Sequence, residues 1–318
     1  MTIRSELHLN ENSLADIWQE NRYFAGWDDA SHSGFLLHVK LMPNNVVTWL
    51  RVCSWADGVG ASFTRRLMDV DGFNYSEVSI GRGSCEWLPI RVDARGHALD
   101  ATAGHAGTLL STEGDTQVEL ELELNSPLPC IDWTRGHEIF GVGSGHLEQG
   151  LRWRGRIRVG RKQVVAAGLG WRDQSWGHRA VSTTTFEDPT WFAFLVHPEL
   201  STQVALAASP KGGIGHFMER DGRLETRADP QVTVVGGDLR DADFREVRVL
   251  IPDLFDAHWK LGTRAAWIMS TEQLRLSPSL GMAWLPGHEQ PWFGYVDLNR
   301  NLRGAALKTL LQSIGAYA

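Results

Sequence analysis

The run Gly168-Leu169-Gly170-Trp171-Arg172-Asp173-Gln174-Ser175-Trp176-Gly177-His178-Arg179 sets one carboxyl group between two tryptophans. In an extended strand successive side chains alternate, so Trp171, Asp173 and Ser175 share one face while Arg172 and Gln174 share the other. A carboxyl crowded by apolar aromatic surface loses solvation of its charged form. Its pKa rises, and it can stay protonated near neutral pH as a general acid. The same indole faces would stabilise a carbocation formed when that acid protonates an alkene or expels a hydroxyl as water. The competing reading is structural, with Asp173 paired to Arg172 or Arg179 in a corner of the fold.

A second group of reactive types lies upstream in Gly141-Val142-Gly143-Ser144-Gly145-His146-Leu147-Glu148. A phosphate-cradling glycine loop needs a following helix whose N-terminus holds the anion, and here a strand pattern follows. Gly143-Ser144-Gly145 lacks the outer glycine spacing and the strand-to-helix turn of a serine-hydrolase elbow. His137-Glu138 has no second histidine four residues after the first, so the zinc-protease helix is absent. His146 and Glu148, two apart on a strand, can share a face, and Asp173 could join them as a metal ligand. A hydrogen-bonded cluster is the simpler expectation, and no metal and no cofactor is expected. A further carboxylate, Asp297 in Tyr295-Val296-Asp297, reads as a turn acceptor at a strand end or as a substrate contact.

These groups need elements to position them, and the elements are strands. Leu151, Trp153, Ile157 and Val159 interleave with arginines; Val118, Leu120, Leu122 and Leu124 interleave with Glu119, Glu121 and Glu123. Period two puts one set on each face of a sheet. Similar short runs occur at Phe35 to Lys40, Val46 to Val52, Gln203 to Ala207, Gln231 to Val235 and Val247 to Ile251, separated by turn pairs such as Asp57-Gly58, Asp71-Gly72, Glu113-Gly114, Asp221-Gly222 and Gly236-Gly237. The expected class is all-β and mostly antiparallel. Helical patterns fall only near the ends, at Leu14 to Asn21 behind Ser13 and at Ala305 to Ile314. The segment Gly177 to Pro189 has no hydrophobic period, which divides the chain into residues 1–180 and 181–318, each of ordinary domain size.

Composition narrows the partners. A net charge of -7 argues against a general nucleic-acid binder, which needs a basic face for phosphates. No apolar stretch reaches the roughly 20 residues of a spanning helix, so stable membrane insertion is not expected. Three scattered cysteines fit neither a disulfide framework nor a metal site and point to a reducing compartment. The opening residues lack the apolar core of an export signal, so a cytoplasmic location is expected. Fourteen tryptophans against four tyrosines supply large π-faces and point to an apolar pocket.

The segment ending in Gly170-Trp171-Arg172-Asp173-Gln174-Ser175-Trp176-Gly177, with His146-Leu147-Glu148-Gln149 before it, resembles the carotenoid hydratase and AttH-like superfamily, whose signature is Gly-x-Gly-aromatic-x-Asp-x-x-Trp-Gly. Trp18-Gln19-Glu20-Asn21-Arg22-Tyr23-Phe24 looks like that family's first strand and Gly294-Tyr295-Val296-Asp297 like its closing motif. The resemblance implies two packed lipocalin-like β-barrel domains and cofactor-free chemistry: hydration of isoprenoid double bonds, or ring closure in related enzymes. Asp173 then matches the proton-donating aspartate. Trp171 stands where the family has tyrosine, and Glu148 departs from an upstream His-x-Trp element. These departures weaken carotenoid as the substrate and leave acid-base chemistry on another terpenoid, steroid-like or aromatic compound.

The combined expectation is a hydratase, dehydratase or cyclase for a hydrophobic small molecule. Asp173 donates the proton, His146 or Glu148 positions water or accepts a proton, and Trp171, Trp176, Trp153, Tyr295 and Asp297 contact the substrate. A homodimer is a possible assembly. The rival readings are a non-catalytic carrier of lipophilic ligands and a pericyclase that only folds a polyene.

Overall fold

A computed structural model describes residues 18–42, 47–66, 85–99, 116–133, 145–178, 190–235, 246–266, 269–270 and 274–301, all of them in strands or connecting turns, with no helix among them. The first sheet holds β1 (Trp18–Asp28), β2 (Ser33–Met42), β3 (Val47–Ala56), β4 (Val59–Arg66), β5 (Cys85–Leu99), β6 (Thr116–Ser126), β7 (Ile131–Asp132), β8 (Gly145–Val159) and β9 (Lys162–His178). Its order is β6-β5-β4-β3-β2-β1-β9-β8-β7, and β6 also pairs with β8. That extra pairing closes eight strands into a ring, a barrel without free edges in the sense that full closure removes them.

The second sheet holds β10 (Thr190–Val196), β11 (Thr202–Ser209), β12 (Gly212–Glu219), β13 (Leu224–Ala228), β14 (Gln231–Val235), β15 (Glu246–Ile251), β16 (Phe255–Ala266), β17 (Met269–Ser270), β18 (Leu274–Ala283) and β19 (Trp292–Asn301). Its order is β13-β12-β11-β10-β19-β18-β16-β15-β14, with β17 on β18. Every strand pairing in both sheets is antiparallel.

The period-two patterns become faces. Val118, Leu120, Leu122 and Leu124 point into the barrel with Leu151, Trp153 and Ile157. The alternating glutamates and arginines meet outside as a ladder, Arg154–Glu123 at 2.7 Å, Arg156–Glu121 at 2.8 Å and Arg158–Glu119 at 3.0 Å. Exposed pairs of this kind contribute a few tenths of a kcal/mol each, so they set register more than stability. The predicted turn at Asp57-Gly58 joins β3 to β4 with both residues in the left-handed region, φ 49° and 75°, as a tight two-residue hairpin requires.

The outer face of the barrel packs on the second sheet through a shared core that includes Trp27, Leu36, Leu169 and Trp171 from one side and Phe194, Val196, Ala207 and Phe293 from the other. Gly150 lets the sheets approach, because a Cβ there would lie 2.6 Å from Val196. Its N–H donates to the buried Gln203 Oε1 across the gap at 2.7 Å. The far face of the second sheet carries its own core around Leu195, Leu206, Val249 and Trp292.

One expected element is corrected. The helix read over Leu14 to Asn21 is a strand from Trp18 onward. Glu20, Arg22 and Phe24 alternate with Asn21, Tyr23 and Ala25, and pairing with both β2 and β9 supplies the backbone bonds that a single helix cap cannot rival. Residues 14–17, the helix expected at Ala305 to Ile314, the turns at 71–72, 113–114 and 236–237, the glycine run 141–144, His137-Glu138, Arg179 and the aperiodic stretch 179–189 lie outside the described residues.

Candidate functional site

Cross-strand register builds the site. Tyr23 on β1 stands opposite His38 on one side and Asp173 on the other, and Asp173 stands opposite Glu148. His38, Tyr23, Asp173 and Glu148 thus form one row on the barrel's outer face. His146 lies one row along, opposite Ser175, so its ring reaches Asp173 diagonally, a range long side chains bridge.

His146 Nε2 and Asp173 Oδ2 are in direct hydrogen-bond contact, and His146 Nε2 lies 3.9 Å from Glu148 Oε1. The other oxygen of Glu148 accepts the indole N–H of Trp133 at 2.7 Å. Burial pushes the Glu148 carboxyl up to about 7, with Asp173 adding to the rise, while His146 and the indole N–H groups of Trp133 and Trp171 oppose it. Trp171 Nε1 helps from a distance, since it completes no hydrogen bond among the described residues. The desolvation of a carboxyl among indoles, expected at Asp173, acts here on Glu148.

The second sheet supplies the opposing wall. Trp171 stacks on Tyr295, ring centres 4.5 Å apart and planes 18° from parallel, and leans on Phe194 and Tyr23 at 6.0 and 6.1 Å. The Tyr295 hydroxyl donates to Asp297 at 3.3 Å. Burial, then the charges of Asp297, Tyr23 and Asp173, hold its phenol well above the ordinary tyrosine range. His146, Glu148, Asp173, Tyr295 and Asp297 each keep between 5 and 8% of their surface open, whereas Arg172 and Gln149 on the barrel-side face keep none. These five groups line a seam; Arg172 and Gln149 do not.

Donor atoms of His146, Glu148 and Asp173 all lie within 4.8 Å of one another. The direct His146–Asp173 contact joins two of these groups by a hydrogen bond.

The sequence candidates divide. Asp173, His146, Glu148, Trp171, Tyr295 and Asp297 come together. Asp297 sits inside β19, accepting from Tyr295 rather than ending a strand. Trp153 points into the barrel, edge-on to Phe35 at 5.3 Å, with its N–H donated to the Leu169 carbonyl at 3.1 Å. Trp176 packs on the same interior core. Both therefore lie on the face opposite the cluster. Sequence reasoning missed Trp133, His38 and His216. A polar ring inside the apolar run Leu36-Leu37-His38-Val39 marks His38; Trp133 follows a two-residue strand and carries no periodic signal.

A closed antiparallel barrel packed on a second antiparallel sheet thus holds His146, Glu148 and Asp173 buried between the two. The chain belongs to the family described as a domain of unknown function, DUF7064, whose model matches residues 8–240. A protein of Nitrosomonas europaea assigned as an AttH superposes with TM-score 0.53 at 13% identity, over 95% of this chain and 99% of that one. Kievitone hydratase of Nectria haematococca (TM-score 0.48, 10% identity, 94% of each chain) and CghA (0.49, 13%, 93% of this chain and 94% of that one) are more remote. At these identities the likeness is one of fold. No curated protein matches the chain. No helix among the described residues is long and apolar enough to cross a membrane.

Proposed function

We propose that the protein is a cofactor-independent lyase or isomerase, a hydratase, dehydratase or cyclase, that handles protons on a hydrophobic isoprenoid-like or polycyclic small molecule. One observation carries this reading: a histidine in contact with one carboxyl and 3.9 Å from a second, in an aromatic seam between two sheets. In the hydration direction the His146–Asp173 pair gives its proton to an alkene carbon. The π-faces of Trp171 and Tyr295 stabilise the resulting cation. Water then attacks, and its proton passes to Glu148, whose proton affinity near neutrality suits both taking and releasing it. Transfer from Glu148 back to His146 restores the start. Dehydration is the same cycle reversed; loss of a carbon-bound proton to Glu148 in place of water attack gives isomerisation, and attack of a second double bond of the substrate on the cation, followed by that proton loss, gives ring closure.

The test is incubation of the purified protein with terpenoid and polycyclic alkenes and alcohols in heavy water. Product carrying solvent deuterium supports the proton cycle. Loss of water from an alcohol supports it equally; product formed with neither solvent deuterium nor loss of water points to a pericyclase, and binding without turnover to a carrier, and either of these two outcomes sinks the proposal.

A further inference from the structure

The cluster has a support that no motif announced. Trp133 stacks face to face on His146, ring centres 5.4 Å apart and planes 11° from parallel. Its N–H holds Glu148 Oε2, which leaves Oε1 as the oxygen turned toward His146. Its backbone N–H donates to the His146 carbonyl at 2.9 Å, and the adjoining β7 pairs Ile131 with Glu148 and Asp132 with Leu147. The edge of the same indole meets His216 of the second sheet at 4.7 Å and 88°. His216 is in turn held through Nδ1 by Thr226 Oγ1 at 3.0 Å, one strand further out. One side chain thus touches both proton carriers on the barrel and is braced from the opposite sheet.

We propose that Trp133 is a positioning residue that orients His146 and Glu148, and that His216 transmits the second sheet's placement to both through it. The inference rests on the acid-base reading of the cluster. A side chain that merely filled space would serve as well with any aromatic ring. An N–H that bonds the charged form of Glu148 more strongly than the neutral form sets that group's titration. The titratable neighbours acting on Glu148 besides Trp133 are His146 and Asp173, with the Trp171 N–H. Those remain in place when Trp133 is changed.

The experiment is a carboxyl titration of the full-length protein labelled with carbon-13 at glutamate, the Glu148 signal being assigned by its loss in Glu148→Gln. Trp133→Phe keeps a stacking ring and removes the N–H. The expected result is a rise of the Glu148 midpoint by about one pH unit, the difference between a charge-assisted and a neutral hydrogen bond. His216→Ala, which retains the indole, is expected to move the midpoint a smaller distance the same way and to add nothing in the double variant. An unmoved midpoint in Trp133→Phe overturns the role of the N–H. If that variant does not fold, His216→Ala decides alone, and an unmoved midpoint there overturns the cross-sheet link. No substrate is needed, so failure here is distinct from failure of the proposed activity, which the deuterium assay reads.

Discussion

The two faces of the β8–β9 hairpin bury polar side chains to nearly the same depth and put them to opposite uses. Inside the barrel, Glu20 accepts from Arg22 Nε at 2.9 Å and Nη2 at 2.8 Å and from Gln174 Nε2, while Arg172 donates to Gln149. Opposite charges and amides meet there, and each charge has a partner of the other sign or a strong dipole. On the outer face, two carboxyls and an imidazole meet, and the Glu148 charge is held off by burial and by Asp173. Arg172 and Asp173 are adjacent in sequence yet belong to different networks. Complementary charges make an inert brace, whereas the like groups on the opposite face are the ones proposed to move protons.

The largest effect expected concerns the outer face. Asp173→Asn removes the partner of His146 and should cost on the order of 100- to 10,000-fold in turnover, read as deuterium incorporation, with the melting temperature little changed. Full activity in that variant would erase the distinction between the faces.

Next comes the inner brace. Arg22→Leu strands Glu20 without its cation, and chemical denaturation should show a loss of about 3–5 kcal/mol. The same change should leave the titration of Glu148 where it was, because the two networks lie on opposite sides of the sheet.

The pH dependence of stability sharpens the comparison further. Glu148 binds its proton more tightly folded, near 7, than its ordinary value of 4.5. Between those values the folded state therefore holds more protons than the unfolded chain, so stability falls as pH rises through that window and levels off above it. The drop is on the order of 3 kcal/mol, and Glu148→Gln should flatten it in denaturation curves taken from pH 4 to pH 8, roughly the span of that window.

Smaller again is Trp153→Phe, which keeps a ring in the barrel core but loses volume and the bond to the Leu169 carbonyl. It should cost roughly 1–3 kcal/mol by denaturation with turnover unaffected. At the bottom of the scale, Val165 is 83% exposed on β9, and Val165→Thr should change stability by no more than about 0.5 kcal/mol in the same assay.

Much of this was legible in the chain because strand periodicity is local. The alternations at Val118 to Leu124 and Leu151 to Val159 named their inward residues, and the interposed glutamates and arginines are their outward complement. The split of Trp171 and Asp173 from Arg172 and Gln174 follows from the same rule. Where two rules competed over Trp18 to Asn21, local helical spacing lost to pairing with two neighbouring strands, which no window on the sequence contains. Trp153 was a candidate on residue type and Trp176 on its place in the Asp-x-x-Trp-Gly signature, and the parity of their positions turns both inward.

By itself, then, the sequence determined which residues share a face, since that depends only on the two-residue repeat of an extended backbone. Which rows lie side by side was decided by register between distant strands, and register set Glu148 opposite Asp173 and brought His146 within reach. Which face closes over a seam was decided by the packing of the second sheet. Tyr295 and His216 enter the site only through that packing, and Trp133 through the pairing of β7 with β8, because a side chain's partners across a gap or along a distant strand depend on the whole fold and leave no trace in spacing.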